Sequence, residues 1–344
     1  MIRLEDLDYA LPSHFIAQNP CEPRDAARLL VYRRGTGEIQ HSRVAHIAEH
    51  LQPGDLLVAN DTRVIPARLF GRREHTGGKV ELLLLRPREQ GAWEALVRPS
   101  HRLKPGARVL LNNQDGGSPD VIEIGDELPH GSRLVRFFAD PAIVLERSGM
   151  VPLPPYIRQP LADPSRYQTT YARVHGSAAA PTAGLHFTPR LVRELETYGV
   201  RFAFITLHIG LDTFQPIRVL DPLQHAIHSE YLEVPPETAQ MIRDTKGFGK
   251  RVVAVGTTSV RALESAANAQ GTVRAWSGDT RLYIYPGYRF RVVDGILTNF
   301  HLPRSTLLLL VAAYTGLHEL KRIYRTAIEE NYRFYSFGDA SLLL

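Results

Sequence analysis

The sequence predicts an α/β main domain with a small all-β barrel domain inserted into it. Three observations carry that expectation. A short, wholly apolar run, DLLVA at 55–59, reads as a buried strand and leads straight into the polar motif Asn60-Asp61-Thr62-Arg63. From about residue 67 to 154 short β-rich runs follow one another. After residue 156, strand and helix patterns alternate. The expected domains are 1–66 with 155–344, a discontinuous α/β domain, and 67–154, the inserted barrel.

The elements follow in order. Residues 29–33 and 38–41 read as strands paired across Gly35-Thr36-Gly37. Residues 44–51 read as a short helix ended by Pro53-Gly54. In the insertion, KVELLLL, WEALV, ARVLL, VIEI and RLVRFF are separated by Gly, Pro, Asn and Asp. Spacing of about ten residues suits a small barrel or sandwich. Residues 140–147 look helical, and PLPP at 152–155 looks like a linker. Beyond it, 189–198 is an amphipathic helix with Leu191, Leu195 and Tyr198 on one face, stopped by Gly199. Strand 201–207, helix 236–246, strand 251–255 and helix 260–269 follow. Residues 281–285 and 289–293 are expected to form a hairpin around Pro286-Gly287. Ser305 caps a helix reaching Gly316, and a last helix covers 319–331.

Composition bounds the function. Of 344 residues, 44% are apolar and 22% charged, as in a globular protein. Lys+Arg number 41 against 36 Asp+Glu, a mild excess that suits a polyanionic partner without requiring one. The single cysteine, Cys21, excludes an internal disulfide and a thiolate metal cluster. That usage fits a reducing cytosol. The start, MIRLEDLDYALP, carries acids where a secretory signal has a basic and then an apolar region. The most apolar stretch, 306–313, is far below the ~20 residues that span a bilayer. A cytoplasmic, membrane-free protein is expected, and with no coiled-coil pattern, a monomer.

Several motifs carry chemistry. Gly256-Thr257-Thr258-Ser259 lies between a buried strand and a helix. Free N–H groups at a helix N-terminus, with three hydroxyls, make an anion site. The plainer reading is an N-cap, which needs only one hydroxyl. Without glycine-rich spacing or a lysine, the motif is neither a phosphate-binding loop nor a dinucleotide fingerprint. Asp61 and Arg63 follow the C-terminal end of a strand, where α/β proteins gather ligands. Histidines recur at element ends: His186, His208, His225 and His228 with Glu230, and His301. A metal site is one use of such groups, but no HExxH is present, and proton transfer or hydrogen bonding is the preferred reading. Phe300 or Tyr288 is placed to stack on a base, with Arg289 and Arg291 on phosphates. The run HGSAAAPTAGLHFT, 175–188, offers small side chains that leave the backbone reachable, and it ends on His186.

Taken together, the blocks YALPSHFIAQNPCEPRDAARLLV, NDTRVIPARLFG, GSAAAPTAGLHFT, TLHIGLDTFQPI, HAIHSE, VGTTSVRALES, YIYPGYRFRVVDGILTNFHLPRSTLLLLV and YRFYSFGDASLLL run nearly end to end. The chain resembles the S-adenosylmethionine:tRNA ribosyltransferase-isomerase family of queuosine biosynthesis. The resemblance implies an α/β fold with an inserted barrel. It also implies a reaction. The ribosyl group of S-adenosylmethionine is transferred to 7-aminomethyl-7-deazaguanine at the wobble position of a tRNA with a GUN anticodon. There it isomerises to an epoxycyclopentane, giving epoxyqueuosine, adenine and methionine. S-adenosylmethionine is then a consumed co-substrate, and no permanently bound cofactor or metal is implied. Departures from the usual family pattern are Ala27, Thr170, Ala178, the SLLL tail and Asp212, which stands where Gly is expected near His208.

On that resemblance, His186 and Asp61 are the candidates for proton transfer. Arg63 and the turn Gly256, Thr257, Thr258 and Ser259 would hold an anion. Thr182, Gly184, His208, Asn299 and His301 are further substrate-binding candidates, and Glu230 and His228 are candidates for ribose contacts. Two rivals belong to other classes. One is a metal-dependent hydrolase built on the His/Glu cluster; the other is a non-catalytic tRNA-binding protein, which would bind tRNA in a salt-sensitive way without consuming S-adenosylmethionine.

Overall fold

The computed structural model describes residues 2–113, 116–128, 131–210, 216–217, 219–227 and 229–344. The chain divides into two compact units, Met1–Arg63 with Pro154–Val174 and Ala180–Leu344, and Val64–Leu153 with His175–Ala179.

The larger unit is built on a nine-stranded mixed sheet. Its strands run in the order Trp276–Thr280, Glu230–Val234, Arg201–Leu207, Leu56–Asn60, Val252–Val255, Gly295–Asn299, Ala340–Leu343, Arg28–Arg33 and Glu38–Arg43. The central four, from Arg201–Leu207 to Gly295–Asn299, are parallel. Leu56–Asn60, Val252–Val255 and Gly295–Asn299 are buried at every position, as expected of parallel strands covered on both faces. One face packs Leu57, Ala59, Val253, Val255, Leu297 and Leu342 against Val44, Ile47, Leu191 and Leu195. The last two come from the helix Pro189–Tyr198, whose first turn is set by proline and by Thr188 Oγ1 accepting from the Leu191 amide at 3.1 Å. The parallel strands start from a shared anchor. Buried Asp55 accepts from the Gln52 amide at 2.8 Å and from Arg251 Nε at 3.0 Å.

The smaller unit is a closed six-stranded antiparallel barrel. Arg68–Arg73, Lys79–Pro87, Ala92–Arg98, Arg133–Phe137, Val121–Glu127 and Arg108–Leu111 follow one another, and the last pairs back onto the first. Alternate residues Val80, Leu82 and Leu84, then Ile122 and Ile124, point into its core. The helix Pro141–Ser148, capped by Asp140, adds Val144 and Leu145 to that core. Among the described residues no helix is long and apolar enough to cross a membrane.

Two expectations need correction. The helix expected at 260–269 is Thr257–Ala266, so all three hydroxyl residues sit in its first turn. The hairpin expected at 281–285 and 289–293 is absent, since neither segment belongs to any strand of the sheets. Its amides are taken elsewhere. Glu264 accepts from the backbone N–H groups of Arg291, Val292 and Val293 at 3.0–3.2 Å and from Tyr288 Oη at 3.1 Å. Pro286 also lacks a donor. Glu264→Ala is therefore expected to cost roughly 2–4 kcal/mol, because buried donors lose a charged acceptor. Thermal unfolding checks this, with Glu264→Gln, which keeps one acceptor oxygen, falling between the two.

Candidate active site

Leu56–Asn60, Arg201–Leu207, Val252–Val255 and Gly295–Asn299 end along one edge of the sheet. Strand Leu56–Asn60 is where the winding reverses, with Arg201–Leu207 on one side and Val252–Val255 on the other. Open α/β sheets bind ligands at such an edge. Asn60 ties the edge together. Its Oδ1 accepts from the Leu207 and Thr62 amides at 3.0 and 3.1 Å, and its Nδ2 donates to the Leu207 carbonyl at 2.9 Å and to Thr258 Oγ1 at 3.3 Å.

A cleft, partly open to solvent, lies here. Thr182 and Ala183, Gly256 to Thr258, Thr298 to Leu302, Tyr156, Tyr335 and Ser336 line it. Gly256 has φ +87° and ψ 156°, a region open to glycine and strained for other residues. That backbone turns the chain so that the helix Thr257–Ala266 points its N-terminus at the cleft. The N-cap residue, Gly256, has no side chain with which to cap this terminus. Ser259 Oγ is turned away, donating to the Val255 carbonyl at 2.8 Å.

A polar chain runs along one wall. Thr182 Oγ1 donates to Asn299 Oδ1 at 3.0 Å, and Asn299 Nδ2 faces His186 Nε2 at 3.2 Å. Because the amide nitrogen can only donate, Nε2 accepts and the ring proton sits on Nδ1. His186 is 5% exposed and does not line the cleft; it stands behind Asn299. Burial pushes its pKa down to about 4, against a smaller upward pull from Asp339. His301 does line the cleft, with Nε2 2.9 Å from Thr298 Oγ1, and burial pushes it down to about 3. Both rings are neutral at pH 7.

Other candidates lie outside the cleft lining. Asp61 is 2% exposed, accepting from Arg173 Nε at 2.6 Å and Thr206 Oγ1 at 2.7 Å. His208 Nδ1 lies 2.8 Å from Thr62 Oγ1, and the ring stacks on Tyr231. Burial also lowers its pKa. Arg63 is exposed. Glu230 is buried in an ion pair with Arg261. At Gly184 the space a side chain would need belongs to the protein itself, since a Cβ there would come within 2.2 Å of Tyr171 Oη. Gly184 is not among the residues that line the cleft. His228 and Asp212 lie outside the described residues. Among the described residues no group of three or more His, Cys, Asp or Glu is placed to hold a metal ion.

Phe300 is corrected as well. Its ring is fully buried among Tyr324, Tyr332 and Phe334, so it does not offer an open stacking face. The aromatic residues the sequence reading missed are Tyr156 and Tyr335, with ring centroids 4.8 Å apart. Tyr335 has φ +70°, a strained conformation for a bulky residue. Tyr156 Oη and Ser336 Oγ are 2.7 Å apart. For Tyr335 the signal was the block YRFYSFGDASLLL, which carries the resemblance without pointing to a role.

The family described as "Queuosine biosynthesis protein" matches residues 4–343. The chain belongs to the queuosine biosynthesis protein family. It is 51% identical over 346 residues, the full length of both chains, to an S-adenosylmethionine:tRNA ribosyltransferase-isomerase of Moorella thermoacetica. One of that name from Symbiobacterium thermophilum is 51% identical over 345 residues, again at full length. The crystal structure of an S-adenosylmethionine tRNA ribosyltransferase from Thermotoga maritima is 38% identical, with a TM-score of 0.57. That likeness covers 98% of this chain and all of the other.

The neutral histidines of this queuosine biosynthesis protein have a consequence for stability. An unfolded histidine titrates near 6.5. His186 and His301 resist protonation when folded, to about 4 and about 3. Their stabilisation is thus complete above pH 6.5 and is lost as pH falls toward those values. The melting temperature is expected to drop by several degrees between pH 7 and 4.5. His301→Gln should flatten part of that slope; an unchanged slope contradicts the assignment to His301.

Proposed function

We propose that this chain is an S-adenosylmethionine:tRNA ribosyltransferase-isomerase. It would move the ribosyl group of S-adenosylmethionine onto 7-aminomethyl-7-deazaguanine at the wobble position of a tRNA with a GUN anticodon. The product is epoxyqueuosine, with adenine and methionine released. The observation that carries the reading is full-length identity of 51% to two relatives of that name. The protein is taken as a cytoplasmic monomer, with S-adenosylmethionine as its consumed co-substrate.

The cleft suits the demands of this chemistry. The helix terminus at Gly256, Thr257 and Thr258 would hold an anion, either the methionine carboxylate or an RNA phosphate. Asn299 and Thr182 would hydrogen-bond the edge of the deazaguanine or a ribose hydroxyl. Tyr156 and Tyr335 offer aromatic faces to the sulfonium charge or to a flat ring. His301, neutral and buried, supplies a hydrogen bond without charge. For His186 and Asp61, proton transfer requires Asn299 and Arg173 to move aside. In the arrangement described, each instead orients a neighbour.

The test is release of free adenine from S-adenosylmethionine in the presence of tRNA carrying 7-aminomethyl-7-deazaguanine. Adenine release that depends on this tRNA supports the reading. Folded protein that binds the tRNA and releases no adenine contradicts it and favours a binding-only role.

A further inference from the structure

The barrel pairs most of its arginines. Arg68 bonds Glu81, Arg86 and Arg88 share Glu94, and Arg136 meets Glu123. The loop after strand Ala92–Arg98 gathers cations without such pairs. In the run RPSHRLK, 98–104, Arg98, Arg102 and Lys104 are exposed, no acid lies within the run, and no ion pair reaches the three cations among the described residues. Glu81 stands opposite Arg98 across the ladder, but its carboxylate is taken by Arg68.

The loop is held in place. Leu103, 1% exposed, plugs the barrel core, and Arg133 donates to the Leu103 carbonyl. The Leu103 and Ala107 amides close turns onto Ser100 and Lys104 at 3.1 Å. Arg102 Nε donates to His101 Nε2 at 3.2 Å. Three cations are therefore displayed on a fixed backbone with no acidic partner among the described residues. That arrangement costs self-repulsion in the free protein and is repaid by a polyanion.

We propose that the Arg98–Lys104 loop of the barrel is a docking surface for the phosphate backbone of the RNA substrate. The inference rests on the proposed function, which supplies an RNA partner. The loop contacts phosphates and not bases, so it positions the RNA without reading its sequence.

The test is fluorescence anisotropy of a labelled GUN-anticodon tRNA titrated with full-length protein at several salt concentrations. Relative to wild type, the triple variant R98A/R102A/K104A should bind roughly 10–100-fold more weakly, and the slope of log K against log salt should fall by about 2–3. The variant keeps Leu103, and an unchanged melting curve checks that the barrel is intact. R102K should retain most of the affinity. A charge-matched variant of the α/β unit, R193A/R274A/R325A, should lose less. If wild type binds and the triple variant keeps the same affinity and slope, the docking surface is overturned while the functional reading stands. If wild type shows no salt-sensitive tRNA binding, the functional reading itself fails.

Discussion

Asn299→Ala should lower single-turnover adenine release by about 10²–10³-fold, the size seen when one preorganised donor is removed from a reacting site. Asn299 ends a parallel strand, lines the cleft, and joins Thr182 to His186. Alanine removes the amide from the cleft and strips partners from Thr182 Oγ1 and His186 Nε2. Leaving these groups unsatisfied should also cost about 1–3 kcal/mol of stability. Asn299→Asp separates the two effects. It keeps the size but sets an acceptor against the ring nitrogen that must accept. His186 should then take a proton above its present value of about 4, visible as a shifted ring titration by NMR. An Asn299→Ala protein with full turnover would remove the amide from the site.

Gly256→Ala is the second large effect. The position has φ +87° and ψ 156°, so an added Cβ strains the turn by about 1–3 kcal/mol. Space is not the obstacle, because the nearest atom to that Cβ would be Ala183 Cβ at 3.6 Å. Relief of strain must rotate the backbone and turn the helix terminus away from the cleft. Turnover is expected to fall at least tenfold, with most of the loss in the apparent affinity for S-adenosylmethionine. Glu264→Ala provides the comparison, since it should destabilise as much without touching the cleft. Equal activity losses in the two variants would mean that Gly256 acts only through stability.

What the sequence could reveal follows from where the information lies. Strands such as DLLVA and KVELLLL are legible because their apolar runs reflect burial on one or both faces. The helix Pro189–Tyr198 is legible because its stop, start and apolar face are all local. The segment at 281–293 has the composition of a hairpin, but Glu264, distant in sequence, captures three of its amides. No local pattern announces that. The same limit applies to the site. Thr182, Gly256, Thr257, Thr258, Asn299 and His301, singled out from motifs at element ends, line one cleft. Glu230 carried the same kind of signal, yet Arg261 neutralises it inside the protein. The position of His186 behind Asn299 is set by packing between elements far apart in the chain. Tyr335 was invisible because nothing in a tyrosine codes for φ +70°.

The most direct measurement follows isotope from S-adenosylmethionine into the tRNA. Two batches of the co-substrate are needed, one labelled in the ribose carbons and one in the methyl group. Each is incubated with the protein and tRNA carrying 7-aminomethyl-7-deazaguanine, and the wobble nucleoside is weighed by mass spectrometry. The expected result is ribose label in the nucleoside, matched one for one by free adenine, no methyl label, and loss of the signal in Asn299→Ala. Methyl label in the nucleoside, or adenine release with an unchanged nucleoside mass, would contradict ribosyl transfer in this cleft.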